Sequence, residues 1–314
     1  PFNTLSDWLK KRFGCRVFKV TLDGGFTCPN RDGSVGTGGC VYCEPSALAP
    51  AARPGPGASI ADQLTVGMEK VGSRYKAKKF IAYFQMNTNT YAPAEVLRET
   101  YGPALSHPDV VGLAVSTRPD CLGPDVLDLL SEIRTKKHLW VELGLQTADD
   151  AVLEKINRGH TARDFADAVG SLGDRGIDVC AHVIAGLPGE AAAGLLNTVG
   201  LISTLGVWGV KFHQLQVLRG APLETLYNRD KVPVLGLEEY CSAVVECIET
   251  LRPDAVVHRL SGDAPGGLLL APRWGANKFI ITERVVEMMA RRGTRQGSAY
   301  RQPPTPQARS HVYR

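Results

Sequence analysis

Six short runs along the chain are apolar and rich in β-branched residues, at 16–22, 80–85, 110–116, 139–146, 179–185 and 207–215. Continuous runs of this kind read as strands buried on both faces of a parallel sheet. Between and after them, apolar residues fall at helical spacing over 60–75, 93–105, 124–134, 149–156, 162–175, 190–205 and 237–251, several with Pro or an acid in the first turn. Six strand–helix units are too few to close an eight-stranded barrel. The expected fold class is therefore α/β: a partial TIM barrel, an open (βα)6 parallel sheet with helices outside and a C-terminal extension. In that architecture chemistry sits at the C-terminal ends of the strands.

Beyond residue 253 the pattern changes. A strand-like run at 255–260, a Gly- and Pro-rich loop through Gly275 and a helical run at 279–292 predict an element that closes the open side of the barrel. The chain is expected to divide into a barrel over 1–252, this closing element over 253–292 and a basic, solvated tail over 293–314. An exposed loop is expected at 47–58, where Pro50, Pro54, Gly55, Pro56 and Gly57 cluster.

Composition adds limits. Of 314 residues, 44% are apolar and 22% charged, ordinary values for a globular chain. No apolar run reaches the roughly 18 residues that a bilayer span needs, so no membrane partner is expected. Eight cysteines, at 15, 28, 40, 43, 121, 180, 241 and 247, form no regular secreted framework and favour a reducing, cytoplasmic setting. The formal charge of +4 is mild but uneven, because Arg291, Arg292, Arg295, Arg301, Arg309 and Arg314 follow residue 288 with no acid among them. That end of the chain reads either as a nucleic-acid contact or as solvated tail.

The densest chemistry lies in the glycine-rich stretch 28–43, directly after the first strand, where Cys28 is followed by the pair Cys40 and Cys43. Iron–sulfur clusters are normally held by four thiolates, so a [4Fe–4S] cluster on these three would leave one iron open to a small molecule. Structural zinc would need a fourth ligand from elsewhere, and the first histidine in the chain is His107. A disulfide would strand the third thiol.

Each strand end adds a polar group that an apolar sheet interior would not need. The second carries Gln85 and Asn89, suited to an amino acid or ribose; the third carries Arg118, free to fork onto a carboxylate or pair with Asp120. The fourth carries Gln146 and Glu142, an acid that inside an apolar strand must be a ligand or be paired. The fifth carries His182 and Ile184, whose backbone could read an adenine edge, and the sixth Lys211 and His213. Asn157-Arg158-Gly159-His160 reads as a helix C-cap.

These motifs together resemble radical S-adenosylmethionine (radical SAM) enzymes of the YhcC/YtqA-type subgroup, relatives of the Elongator catalytic subunit. The matching stretches include Asp23-Gly24-Gly25-Phe26-Thr27-Cys28-Pro29-Asn30-Arg31, Thr117-Arg118-Pro119-Asp120, Glu142-Leu143-Gly144-Leu145-Gln146 and Lys211-Phe212-His213-Gln214-Leu215-Gln216, within residues 8–285. The resemblance implies a [4Fe–4S] cluster on Cys28, Cys40 and Cys43, whose open iron chelates the methionyl amino and carboxylate groups of S-adenosylmethionine, and reductive cleavage of that cofactor to a 5′-deoxyadenosyl radical. Tyr42, Gln85, Asn89, Arg118, Glu142, Gln146, His182 and Ile184 would surround the cofactor. Lys211, His213, Arg259 and Lys278 would serve catalysis and substrate contact. Implied partners are tRNA, modified at the wobble uridine, and a reductant such as flavodoxin or ferredoxin. A small-metabolite substrate and a noncatalytic iron–sulfur sensor or RNA-binding protein are the alternatives. Cys15, close upstream of the loop, is the remaining thiol of interest.

Overall fold

The computed structural model describes residues 1–48, 57–229, 232–265 and 267–302. All six expected strands form: β1 (Val17–Leu22), β2 (Lys79–Phe84), β3 (Val110–Thr117), β4 (His138–Gln146), β5 (Asp178–Ala185) and β6 (Gly209–Gln214). They pair in parallel and in sequence order. After a two-residue strand β7 (Val217–Leu218), the expected C-terminal run forms β8 (Val256–Arg259), which pairs in parallel with β6. The curled half-barrel sheet thus has seven strands, the seventh supplied from beyond residue 253. A short β9 (Leu269–Ala271) pairs with β7. Of the loop expected at 47–58, residues 49–56 lie outside the described residues.

The helices are α1 (Leu5–Phe13), α2 (Ile60–Tyr75), α3 (Ala94–Ser106), α4 (Pro124–Lys136), α5 (Asp150–Lys155), α6 (Ala162–Gly173), α7 (Gly194–Thr204), α8 (Pro222–Tyr227), α9 (Leu237–Thr250) and α10 (Lys278–Arg292). Strand alternation sorts the core into two faces. On β4, Val141, Leu143 and Leu145 join the apolar layer beneath the helices, whereas Trp140 and Glu142 point into the barrel. The lower interior is apolar, with Ile81, Ala114, Trp140 and Cys180 meeting Leu5 and Leu9 of α1. Trp8 packs tilted against His138 and edge-on against Trp208, with ring centroids 5.1 and 5.0 Å apart, and so plugs the N-terminal end of the barrel. Helix α1 was not expected from the sequence. It is specified by a Thr4 cap on the Asp7 amide and by Gly14, left-handed at φ 70°, whose amide returns to the Lys10 carbonyl.

The tail expected from residue 293 is docked over its described part. Gln296 is buried; its amide donates to the carbonyls of Arg252 (2.6 Å) and Ala255 (2.8 Å) and accepts from the Asn3 amide (2.9 Å). Arg292 pairs with Glu246 and Glu249, and Arg291 with Glu287. Sequence composition suggested solvation because these polar partners are remote in the chain. Arg309 and Arg314 lie outside the described residues. Gln296→Ala is expected to lower unfolding stability by about 2–3 kcal/mol, because it orphans buried backbone groups. A urea midpoint equal to that of wild type would contradict this docking.

Candidate active site

The loop after β1 turns tightly on itself. The Cys28 carbonyl accepts from the Arg31 amide at 2.8 Å, and the Cys43 amide donates to the Cys40 carbonyl at 2.9 Å. Gly39 takes φ 80°, and a Cβ there would lie 2.8 Å from the Arg31 side chain, which reaches the Cys43 carbonyl at 2.7 Å. All the cysteines are free thiols.

The turn 157–160 clamps this loop and is more than a helix cap. Asn157 Nδ2 donates to the Gly39 carbonyl at 2.9 Å, and Arg158, buried, sets Nη1 3.5 Å from Cys40 Sγ and Nη2 2.8 Å from the Gly144 carbonyl. A side chain at Gly144 would occupy the space of that guanidinium. Asn30 Nδ2 is a second donor to Cys40 Sγ, at 3.6 Å. Burial pushes the Cys40 thiol up, but the Arg158 charge and hydrogen bond outweigh it and hold the thiol below its ordinary value. Cys43 is pushed up, by burial and by the neighbouring Cys40.

Cys28, Cys40 and Cys43 line one cavity of about 230 Å3 at the C-terminal ends of the strands. Among the described residues, no group of three or more His, Cys, Asp or Glu side chains is placed to hold a single metal ion, whereas structural zinc closes four ligands around one ion. Three free thiols, one held as a hydrogen-bond acceptor by two N–H donors, fit a cluster whose thiolates each bind a separate iron.

Ten further expected residues line the same cavity: Tyr42, Gln85, Arg118, Glu142 and Gln146, then His182, Ile184, Lys211, His213 and Arg259. Arg118, however, spends most of its donors on protein. It forks onto Asp120 at 2.8 and 2.7 Å and donates to the carbonyls of Arg158 (2.8 Å) and Gly159 (3.2 Å), so it braces the 157–160 turn. Asn89 is not in the cavity wall. It is fully buried, and its Nδ2 ties β2 to β3 through the carbonyls of Phe84 and Ser116. Lys278 is half exposed at the start of α10, 3.9 Å from Asp263, also outside the cavity.

Glu142 forms the floor. Its Oε1 accepts from Trp140 Nε1 (3.1 Å) and Lys19 Nζ (3.5 Å); its Oε2 accepts from Lys211 Nζ, His182 Nε2 (2.9 Å) and Ser116 Oγ (3.3 Å). Burial alone would push this carboxyl up, yet the charges of Lys19 and Lys211 and the His182 bond hold it well below the usual carboxylate range. Tyr83 Oη takes a further Lys211 proton at 2.9 Å, with Lys19 over its ring at 4.5 Å. Sequence reading missed Arg158, Asn30, Lys19 and Tyr83. The Asn-Arg-Gly-His string was visible, but a cap and a clamp share the same local sequence.

Residues 31–202 match the Radical SAM superfamily and residues 207–291 the Radical_SAM C-terminal domain. The chain is 39% identical to Uncharacterized protein YtqA of Bacillus subtilis over 95% of this chain and 92% of that protein. It is 40% identical to Protein YhcC of Escherichia coli over 94% of each. A tRNA uridine(34) acetyltransferase of Dehalococcoides mccartyi is 37% identical over 51% of this chain and 35% of its own length. Among solved structures, Methanocaldococcus infernus Elp3 with an N-terminal deletion shares the fold at TM-score 0.67 and 18% identity, over 89% of this chain and 64% of that one. With matches that together take in the half-barrel, the thiol loop and the cavity wall, the chain belongs to the radical SAM superfamily, whose members bind a [4Fe–4S] cluster and S-adenosylmethionine.

Proposed function

We propose that this chain modifies the wobble uridine of tRNA, removing the carboxymethyl part of a 5-carboxymethylaminomethyl group to leave 5-aminomethyl-uridine. The N–CH2 bond to the carboxymethyl carbon breaks, with water as co-reactant and the two carbons leaving as glyoxylate. The two electrons of that oxidation are taken up by S-adenosylmethionine, which becomes methionine and 5′-deoxyadenosine. The observation that carries this reading is one cavity that joins the three cluster thiols to a charged floor of Glu142, Lys211 and Arg259. When bound, the cluster and S-adenosylmethionine supply an electron and a 5′-deoxyadenosyl radical, the electron coming from a flavodoxin or ferredoxin. The chain's own residues bind and orient. Cys28, Cys40 and Cys43 hold the cluster, and Arg158 and Asn30 fix the Cys40 sulfur. Gln85, Gln146, His182 and Ile184 give the cofactor amide, imidazole and apolar contacts. Lys211, His213 and Arg259 face the substrate.

The cavity, about 230 Å3 in all, is far too small for a folded RNA. The target base must therefore leave its stack, which costs least in a single-stranded loop. The relative named as a tRNA uridine(34) acetyltransferase supports tRNA as the substrate class. The test is mass spectrometry of tRNA nucleosides from a strain lacking the gene. The carboxymethylaminomethyl form is expected to accumulate and the aminomethyl form to vanish, and an unchanged profile would favour a small-metabolite substrate.

A further inference from the structure

The cavity floor holds more positive than negative charge, and the protein does not balance it. The register of the sheet sets Lys211 of β6 directly beside Arg259 of β8, with side chains on the same face. Like charges at such a pair destabilise a sheet unless something compensates. One carboxylate is near, Glu142, but its two oxygens already accept from five donors and leave nothing for Arg259. Among the described residues Arg259 finds only the His213 ring, with Nη2 3.0 Å from each ring nitrogen, of which a neutral imidazole offers one acceptor. Its Nε is buried without a hydrogen-bond partner.

The histidines add no negative charge, and burial keeps them from adding positive charge. His182 is pushed down to about 4, and His213 and His258 well below the ordinary value. On the floor, Lys19, Lys211 and Arg259 thus stand against Glu142 alone, and of these Lys211, Arg259 and Glu142 line the cavity; its other acid, Glu44, belongs to the thiol-loop side together with Arg31. Uncompensated cations in such a wall are stabilised by an anion from outside.

We propose that Arg259 and Lys211 form a carboxylate subsite and that its ligand is a carboxylate of the substrate. This rests on the tRNA reading, in which the group to be removed ends in a carboxylate. Arg259, a lining residue, carries a planar guanidinium whose Nε and Nη1 have no hydrogen-bond acceptor among the described residues, and Lys211 is a point charge on the neighbouring strand, a donor set that suits a two-oxygen anion. Arg259 stands on the edge strand β8 and Lys211 on β6 beside it, at the side of the sheet opposite β1, the strand from which the thiol loop leaves. The cofactor also has a carboxylate, so the test must separate the two sources.

The reconstituted full chain, with S-adenosylmethionine present, is titrated with two anticodon stem–loop RNAs that differ only at the wobble base. One carries 5-carboxymethylaminomethyl-uridine and the other 5-aminomethyl-uridine. Wild type is expected to bind the first about tenfold more tightly, Arg259→Gln to bind both alike, and Arg259→Lys to keep part of the preference. No preference in wild type, or a full preference in Arg259→Gln, overturns the proposal. Equilibrium dialysis with radiolabelled acetate tests the subsite without RNA: saturable binding that Arg259→Gln loses supports it, and no saturable binding overturns it. Should neither RNA bind while acetate does, the tRNA reading fails and the carboxylate subsite stands. A third titration compares S-adenosylmethionine with its decarboxylated form. If Arg259→Gln erases the preference between those two, the carboxylate is the cofactor's and the assignment to substrate falls.

Discussion

Cys40→Ala, purified without oxygen, is expected to carry no iron where wild type carries about four per chain, because each thiolate holds a separate iron of the cluster. Cys28→Ala and Cys43→Ala should lose iron equally. The structure separates Cys40→Ala from Cys28→Ala by a second measurement. Cys40 is buried and its sulfur accepts from Arg158 and Asn30, whereas the described residues place no such pair of donors on Cys28. Removing that acceptor leaves a buried guanidinium whose Nε already lacks a partner. An orphaned buried donor costs about 1–3 kcal/mol, more when charged. Iron-free Cys40→Ala should therefore unfold at lower denaturant than iron-free Cys28→Ala. Iron retained by Cys40→Ala, or zinc in its place in wild type, would sink the assignment of the loop.

Glu142→Ala is the other large change. It removes one carboxylate and leaves Lys19 and Lys211 together in the barrel with no counter-charge. Breaking a buried ion network from one side costs about 3–5 kcal/mol. Lys211, already pushed down to about 7 chiefly by burial, loses the one nearby carboxylate that opposes the shift. The acid side of the stability profile should change as well. A carboxyl held low in the fold contributes fully above its unfolded value and loses that contribution as pH falls through the folded one. Wild type should thus lose stability on acidification below the ordinary glutamate range, and the variant should lack that component. Urea midpoints across pH test both statements, and a variant with unchanged stability would show that Glu142 is dispensable to the floor.

Sequence alone yields those parts of this protein that depend on local pattern. The six parallel strands are readable because strands covered on both faces need apolar residues at every position. The thiol loop is readable because ligand number and spacing are local. What escapes is contact between remote segments. The run at 255–260 reads as a strand, but its place beside β6 depends on a crossover through α9 that no local signal encodes. Glu142 is correctly seen as an acid that must be paired, yet Lys19 lies 123 residues away and Lys211 69. Asn89 and Arg118 look like ligands because they are polar at strand ends. Buried backbone carbonyls and Asp120 claim most of their donors instead. Lys278 looks basic and available, and it is, but on a helix start outside the cavity.

The stitch that Gln296 makes between Asn3 and the start of β8 sets an order of assembly. Its partners on either side of the seam lie 293 and 41 residues away in the chain, and the amide of Val257 reaches the carbonyl of Asn3 across the same gap. Contacts of such separation form late, after the entropy of closing the intervening chain has been overcome. On the ribosome, the strands up to β6 can pair as they emerge, while the edge of β6 that β8 must occupy stays bare until residues 256–259 have been made. Nascent chains of this protein should therefore expose an unpaired edge on β6 while residues 215–255 are made, the state in which chaperones bind and in which misassembly begins.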